Sequence, residues 1–429
     1  MQTSPKSSIA VFIFLLMTFS LLSCKADKPA GDESTIVIDV EKNIDNFKPV
    51  KLSDLNCELE YVVLETNSSS LLASIRLFDK SSDYIAVFDS DGFSSQVFLF
   101  DNNGKFISRL GLRGRGPGEY DTTARLKIIN GQIFIPDIRR NKIYIYNSSG
   151  DFISDFSYPG RSFRAGWFPL TDTTYLFHLP NLTGNESYRL AQINNKGEIL
   201  KYYPNTTFFN PGSNLGTIFR SSVFYETNGN IFFKEPLNDT VWQVMEDHLH
   251  PAYIMNLGKY SIPFEVAELH PEKRGEKYRN AIHINNVFET EEYVITWKSF
   301  GNNYPFDFFM QEADGPLGPV KRQYCIIGLY DKKNNEYFHV APSNPDDQIQ
   351  PTGFENDIDG GINFKPDYAV NDTLLVSVIK AYELIEYVQT ETFRNYTPKY
   401  PERKEELKKL ASSLDENDNP VLMLVRLNK

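Results

Sequence analysis

One stretch of this chain occurs twice. Val97-Phe98-Leu99-Phe100-Asp101-Asn102-Asn103-Gly104-Lys105-Phe106-Ile107-Ser108 is followed, 46 residues on, by Ile143-Tyr144-Ile145-Tyr146-Asn147-Ser148-Ser149-Gly150-Asp151-Phe152-Ile153-Ser154. A third copy, residues 190–200, places its glycine at Gly197, 47 residues after Gly150. A weaker one over 326–338 keeps a strand, Tyr330-Asp331, a polar turn and a second strand. Each copy reads as a hairpin, and in the first three the turn holds a glycine that takes positive φ. A period of roughly 40–50 residues made of strands alone is what a four-stranded propeller blade produces.

The innermost strands are read at 84–89, 132–137, 174–178, 230–234, 293–298 and 373–380, and six such strands mean six blades. Their spacing widens along the chain, so the later blades carry insertions. The run Val421-Leu422-Met423-Leu424-Val425-Arg426-Leu427 is a C-terminal strand, expected to share a blade with 36–40 or 61–64 and so remove an open edge. Residues 401–411 read as a helix inserted on the last blade, with proline at its start, acids early and lysines late. Leu407, Leu410, Ala411 and Leu414 share one of its faces. Phe and Tyr number 32 and 24, which favours strands over helices across the rest. The fold expected is all-β, a six-bladed β-propeller over 35–429 with a short C-terminal helical insertion.

The first 23 residues read as a secretory leader: Lys6, then an apolar run over 9–22 that is short for a membrane span. It ends in Leu21-Leu22-Ser23-Cys24, which resembles the lipobox of bacterial lipoproteins. That resemblance implies lipidation at Cys24, a tether over 24–34, and attachment to the cell envelope at the outer membrane. Several acyl chains hold a protein on a bilayer where one is marginal. Cys57 and Cys325 are too few for a disulfide framework; a bridge between them and two free thiols both stay open. The formal net charge of −12 argues against nucleic acid, whose binding depends on phosphate neutralisation.

Three passages carry a wider likeness. These are Gly111-Leu112-Arg113-Gly114-Arg115-Gly116-Pro117-Gly118-Glu119-Tyr120, then Asn238-Asp239-Thr240-Val241-Trp242 with Pro251-Ala252-Tyr253 and Leu257-Gly258-Lys259-Tyr260, and finally Asn419-Pro420-Val421-Leu422-Met423. Together they resemble the six-bladed β-propeller lipoproteins of Gram-negative gut bacteria, related to NHL-repeat propellers. The likeness implies the fold and leaves function open.

The candidate sites are few. The 111–118 loop is followed by a β-pattern and lacks the expected lysine, so it reads as an inter-blade turn and not as a phosphate cradle. His248-Leu249-His250 has the spacing of two ligands on one side of a strand, but sits in a polar stretch and reads as a solvated turn. Lyases similar to the NHL type can hold zinc on channel histidines, yet only His178 falls on an expected inner strand. No metal, cofactor or nucleophile constellation is therefore assigned. The strand ends Asp89, Asp137, His178, Lys234, Lys298 and Lys380 are expected to ring one channel mouth, acidic on one arc and basic on the other, as a polar ligand site. Two functions follow. One is a binding module for a glycan, peptide or protein; the other is a metal-dependent lyase or lactone hydrolase working in the channel.

Overall fold

In the computed structural model the repeated hairpins stand side by side in six antiparallel meanders of four strands. The described residues are 34–428 except 91–94, 122, 124, 160–165, 182, 211–221, most of 263–279, 301–309, 316–317, 324–325 and 342–351. Cys24, the leader, nearly all of the tether and Cys325 lie outside them.

The repeats supply the third and fourth strands of their blades, as Ser95–Asp101 with Phe106–Leu110 does in blade 1. Their glycines have φ of +83° at Gly104, +92° at Gly150 and +79° at Gly197. Each also lies against the outer strand of the preceding blade. A Cβ would stand 2.0 Å from the Val63 oxygen at Gly104, 2.9 Å from that of Arg109 at Gly150 and 2.1 Å from that of Ser157 at Gly197. The turn and the blade packing thus demand glycine independently.

The strands expected to be innermost are instead second in their sheets. First strands, bordering the axis, are Ile75–Lys80, Lys127–Ile129, Trp167–Pro169, Val223–Thr227, Ile282–Glu289 and Tyr368–Ala369. Second strands are Tyr84–Ser90, Gln132–Asp137, Thr174–His178, Asn230–Lys234, Tyr293–Phe300 and Leu374–Ile379. The error has a physical cause. A second strand has sheet on both edges and a blade on both faces, so Ile133, Phe134 and Ile135 are all buried and give a strong apolar signal. Lys127–Ile129, facing the axis, is only half-buried and gives a weak one.

Period-2 alternation builds the cores between blades. Ile85 and Val87 pack toward Leu422 and Leu424 of blade 6, while Ala86 and Phe88 pack toward Ile133 and Ile135 of blade 2. The same pattern continues round the ring through four further inter-blade cores. The ring closes in blade 6, where Val421–Leu427 pairs with Leu374–Ile379 on one side and Cys57–Val63 on the other. Of the two N-terminal partners expected, the later one closes the ring. Ile36–Asp39 instead adds a parallel fifth strand to Leu249–Asn256 of blade 4, and Phe47–Lys48 does the same at Glu336–Val340 of blade 5. The segment before blade 1 is therefore a belt over the outer edges of blades 4 and 5.

Between the second and third strands of blade 6 lie helices α1 (Ala381–Tyr387), α2 (Glu391–Asn395) and α3 (Pro401–Ser412). α3 has proline in its first turn and turns Leu407 and Ala411 into the core between blades 5 and 6, with Leu410 and Leu414 partly buried against it.

Candidate functional site

The antiparallel order gives the two faces different characters. On one face, first and second strands join through turns of two to four residues. The strand ends on the other face are those joined by the connections between blades and between second and third strands, among them the ones long in sequence over 257–281, 301–325 and 341–367. Loops of that length over a rigid scaffold are where binding groups are usually carried.

One cavity lies on the axis and a second one lies beside it, sharing part of its wall. The first, of about 510 Å³, is bordered by first strands from all six blades, including Lys80, Ile128, Phe168, Glu226, Phe288 and Tyr368. The other, the upper cavity to the first one's lower, has about 550 Å³, opens on the long-loop face between blades 4 and 5 and is bordered by Lys234, Glu235, Asp239, Ile284 and Ser299. Arg125 and Asn286 border both.

The six strand-end residues do lie toward the long-loop face, but they do not ring the axis. Asp89 turns back on the connection entering its own blade, accepting from the backbone N–H groups of Ala73 (2.9 Å) and Ser74 (2.5 Å). Asp137, fully buried, does the same for blade 2, accepting from Asp121 N (2.9 Å), Arg139 N (2.9 Å) and Arg140 N (3.2 Å). These two carboxylates staple inter-blade connections. Lys298 is fully buried and its ammonium meets the Tyr337 hydroxyl. Lys380 sits on the surface before α1, its Nζ 3.2 Å from the Tyr382 hydroxyl. Of the six, Lys234 borders one of these two cavities, and its Nζ also donates to the Glu235 carbonyl at 3.3 Å. Position along a strand was read correctly; the strand's place in its sheet was not.

His178 instead joins a buried network between blades 3 and 4. Its Nε2 is 3.6 Å from Glu235 Oε2, and Arg189 Nε is 3.1 Å from Glu235 Oε1. Asn238 donates to the same carboxylate at 2.8 Å, and the Arg189 guanidinium covers the Trp242 ring. Burial pushes the Glu235 carboxyl up, but His178, Arg189 and Asn238 outweigh it and leave it below its ordinary value. Nearby Asp239 goes the other way: burial raises it, against a hydrogen bond from the Ser261 hydroxyl and the attraction of Lys234. The upper cavity thus has a carboxylate fixed as an anion beside one that takes a proton more readily.

The glycine-rich loop joins blades 1 and 2. Its Tyr120 hydroxyl is buried, accepting from Val97 N and donating to the Leu110 carbonyl, and Arg113 pairs with Asp121 at 3.2 Å. His248 is exposed beside Asp247, whereas His250 Nε2 is buried. Among the described residues no three His, Cys, Asp or Glu side chains are grouped as a metal would need. Cys57 is a free thiol, pushed up to about 11 chiefly by burial and donating to the Leu52 carbonyl.

Arg125, Asn286, Glu235 and Arg189 were not singled out from sequence. Arg125 lies in a connection with no periodicity. The Asn285-Asn286 pair inside an apolar strand was the one available signal, since such a pair marks an irregular strand.

The fold is shared with known structures. A protein of Bacteroides fragilis described as exported is 19% identical, with 92% of this chain and 100% of that chain covered at a TM-score of 0.62. A member of the DUF4221 family from Bacteroides vulgatus is 11% identical over 66% of this chain and 86% of its own, at 0.43. Virginiamycin B lyase from Staphylococcus aureus is 12% identical over 66% and 88%, at 0.35. The last two are too distant to bear on function. No curated protein matches the chain. A family model described as "Domain of unknown function (DUF4934)" matches residues 35–426, all six blades and the belt, and the chain belongs to that family.

Proposed function

We propose that this protein is an exported, lipid-anchored binding protein whose ligand enters the axial channel from the long-loop face. The observation that carries the reading is the pair of cavities meeting at Arg125 and Asn286. Their volumes of about 550 and 510 Å³ fall in the range of small-molecule sites. A sugar or the end of a peptide fits such a space, and a folded protein partner does not. The anchor rests on the Leu21-Leu22-Ser23-Cys24 pattern, and export accords with the B. fragilis structure.

The test is to block the channel. Ser299→Trp places a large ring in the upper cavity, and thermal-shift screening of cell-envelope sugars and short peptides against both proteins reads the result. Ligands that stabilise the parent and not the variant support the reading. Ligands that stabilise both equally would move the binding face elsewhere. A channel-centred lyase would take its metal ligands from outside the described residues, and stoichiometric zinc or calcium in the purified protein would favour it.

A further inference from the structure

Regular strand geometry places neither of the residues that border both cavities. Arg125 has φ of +58°, a left-handed backbone that a bulky side chain adopts only where its surroundings over-determine it. Trp167 Nε1 donates to its carbonyl at 2.7 Å. Asn286 lies where the pairing of Ile282–Glu289 with Tyr293–Phe300 shifts register, a bulge of the kind that re-aims a side chain. Two separate irregularities thus bring a guanidinium and a carboxamide to the same junction.

Neither group is used up by the fold. The Arg125 guanidinium makes no ion pair or hydrogen bond with any described residue. Asn286 accepts from Val287 N through Oδ1 at 3.0 Å, which leaves its amide N–H groups without a partner among the described residues. Of the acids bordering the two cavities, Glu235 is committed to Arg189, Asn238 and His178, Asp79 to Lys127 at 2.8 Å, Asp239 to the Ser261 hydroxyl and Asp367 to Val378 N at 2.9 Å, while Glu226 is exposed and forms no ion pair with Arg125. Burial alone lowers the pKa of Arg125, to about 10, with no carboxylate placed to compensate it. An unbalanced cation inside a channel is costly until an anion joins it.

We infer that this junction binds the oxyanion group of a small acidic ligand, a carboxylate, sulfate or phosphate, with Arg125 as a two-pronged donor and Asn286 as a second one. A guanidinium offers parallel N–H groups matched to two oxygens of such a group. Phe168 and Tyr368, on the wall of the lower cavity, are placed to meet the less polar body of the ligand. The inference rests on the channel being a ligand site and adds the charge of what it takes.

Sodium glucuronate, sodium sulfate and sodium phosphate are titrated into the purified protein against sodium chloride at matched ionic strength, by calorimetry and thermal shift. At least one should bind with unit stoichiometry and raise Tm. Arg125→Gln should weaken it about tenfold or more, and Arg125→Lys, which keeps charge but loses the fork, should fall between. In chloride alone Arg125→Gln should melt no lower than the parent, because it removes a half-buried charge that the fold leaves unbalanced. Anions that stabilise parent and Arg125→Gln alike would be acting as general salts and would overturn the inference, as would silence from all three. A lower chloride Tm for Arg125→Gln would reveal a structural partner and overturn it too. A neutral sugar blocked by Ser299→Trp but indifferent to Arg125→Gln would keep the channel as a ligand site and sink the anion.

Discussion

Asp89 and Asp137 behave as internal braces. A buried carboxylate that accepts two or three backbone N–H groups leaves those donors unsatisfied when it is removed. Asp137→Ala should lower stability by about 1–3 kcal/mol in urea unfolding while leaving ligand affinity unchanged. A loss of affinity without loss of stability would restore Asp137 to the site. His339 offers a pH test. Both its ring nitrogens are buried without a hydrogen-bond partner among the described residues, and burial, with Lys298 close by, holds it well below its ordinary value. The unfolded chain takes up a proton near pH 6.5 that the fold refuses, so this contribution is whole above that pH. It falls by about 1.4 kcal/mol for each unit below, down to the folded-state value. In His339→Phe the drop in Tm between about pH 7.5 and about pH 5.5 should shrink. An unchanged drop would assign the titration to another group.

At the scale of elements, the repeat glycine and the closing strand carry the architecture. Gly197→Ala meets both an unfavourable φ and the Ser157 carbonyl, so it should cost more than the roughly 1–2 kcal/mol of left-handed backbone alone. Gly131 has positive φ with nothing near its absent Cβ, so Gly131→Ala should cost only that backbone term. Equal losses in the two variants, measured by chemical denaturation, would show that blade contact adds nothing. Removing residues 421–429 is far more severe. Val421 to Val425 are all nearly fully buried, and a buried side chain of this size contributes about 1.5–3 kcal/mol. Their sum is comparable with the whole stability of a domain, about 5–15 kcal/mol. The truncated chain should lose its cooperative melt and aggregate through the exposed edges of Leu374–Ile379 and Cys57–Val63. A cooperative melt at the parent temperature would mean that the ring does not depend on this strand.

The whole molecule combines a closed ring with one crowded face. Each inter-blade core draws on two blades, so the ring stands or falls together, and connections on the long-loop face add to it, Phe354, Phe364 and Leu407 packing into the core between blades 5 and 6. The proposed anchor precedes the belt in the sequence and supplies none of the residues of the inter-blade cores. Cys24→Ala should therefore release a folded protein from the membrane fraction with an unchanged melting profile. Co-sedimentation of that variant with membranes, as for the parent, would assign the anchor to something other than a lipid on Cys24.

Blade number, the hairpins, the helix over Pro401–Ser412 and C-terminal closure were legible in the sequence, because each depends on local periodicity or on a turn that only certain residues adopt. The Asp89 and Asp137 strand ends were legible as positions for the same reason. Which strand faces the axis was decided only by tertiary packing. Strength of apolar patterning measures burial on two faces, and in blade 2 the channel-wall strand Lys127–Ile129 is less buried than Gln132–Asp137 behind it. The Arg125–Asn286 junction was hidden more deeply. A left-handed residue in a connection and a bulge in a strand about 160 positions later break local periodicity, and only closure of the ring brings them to one place.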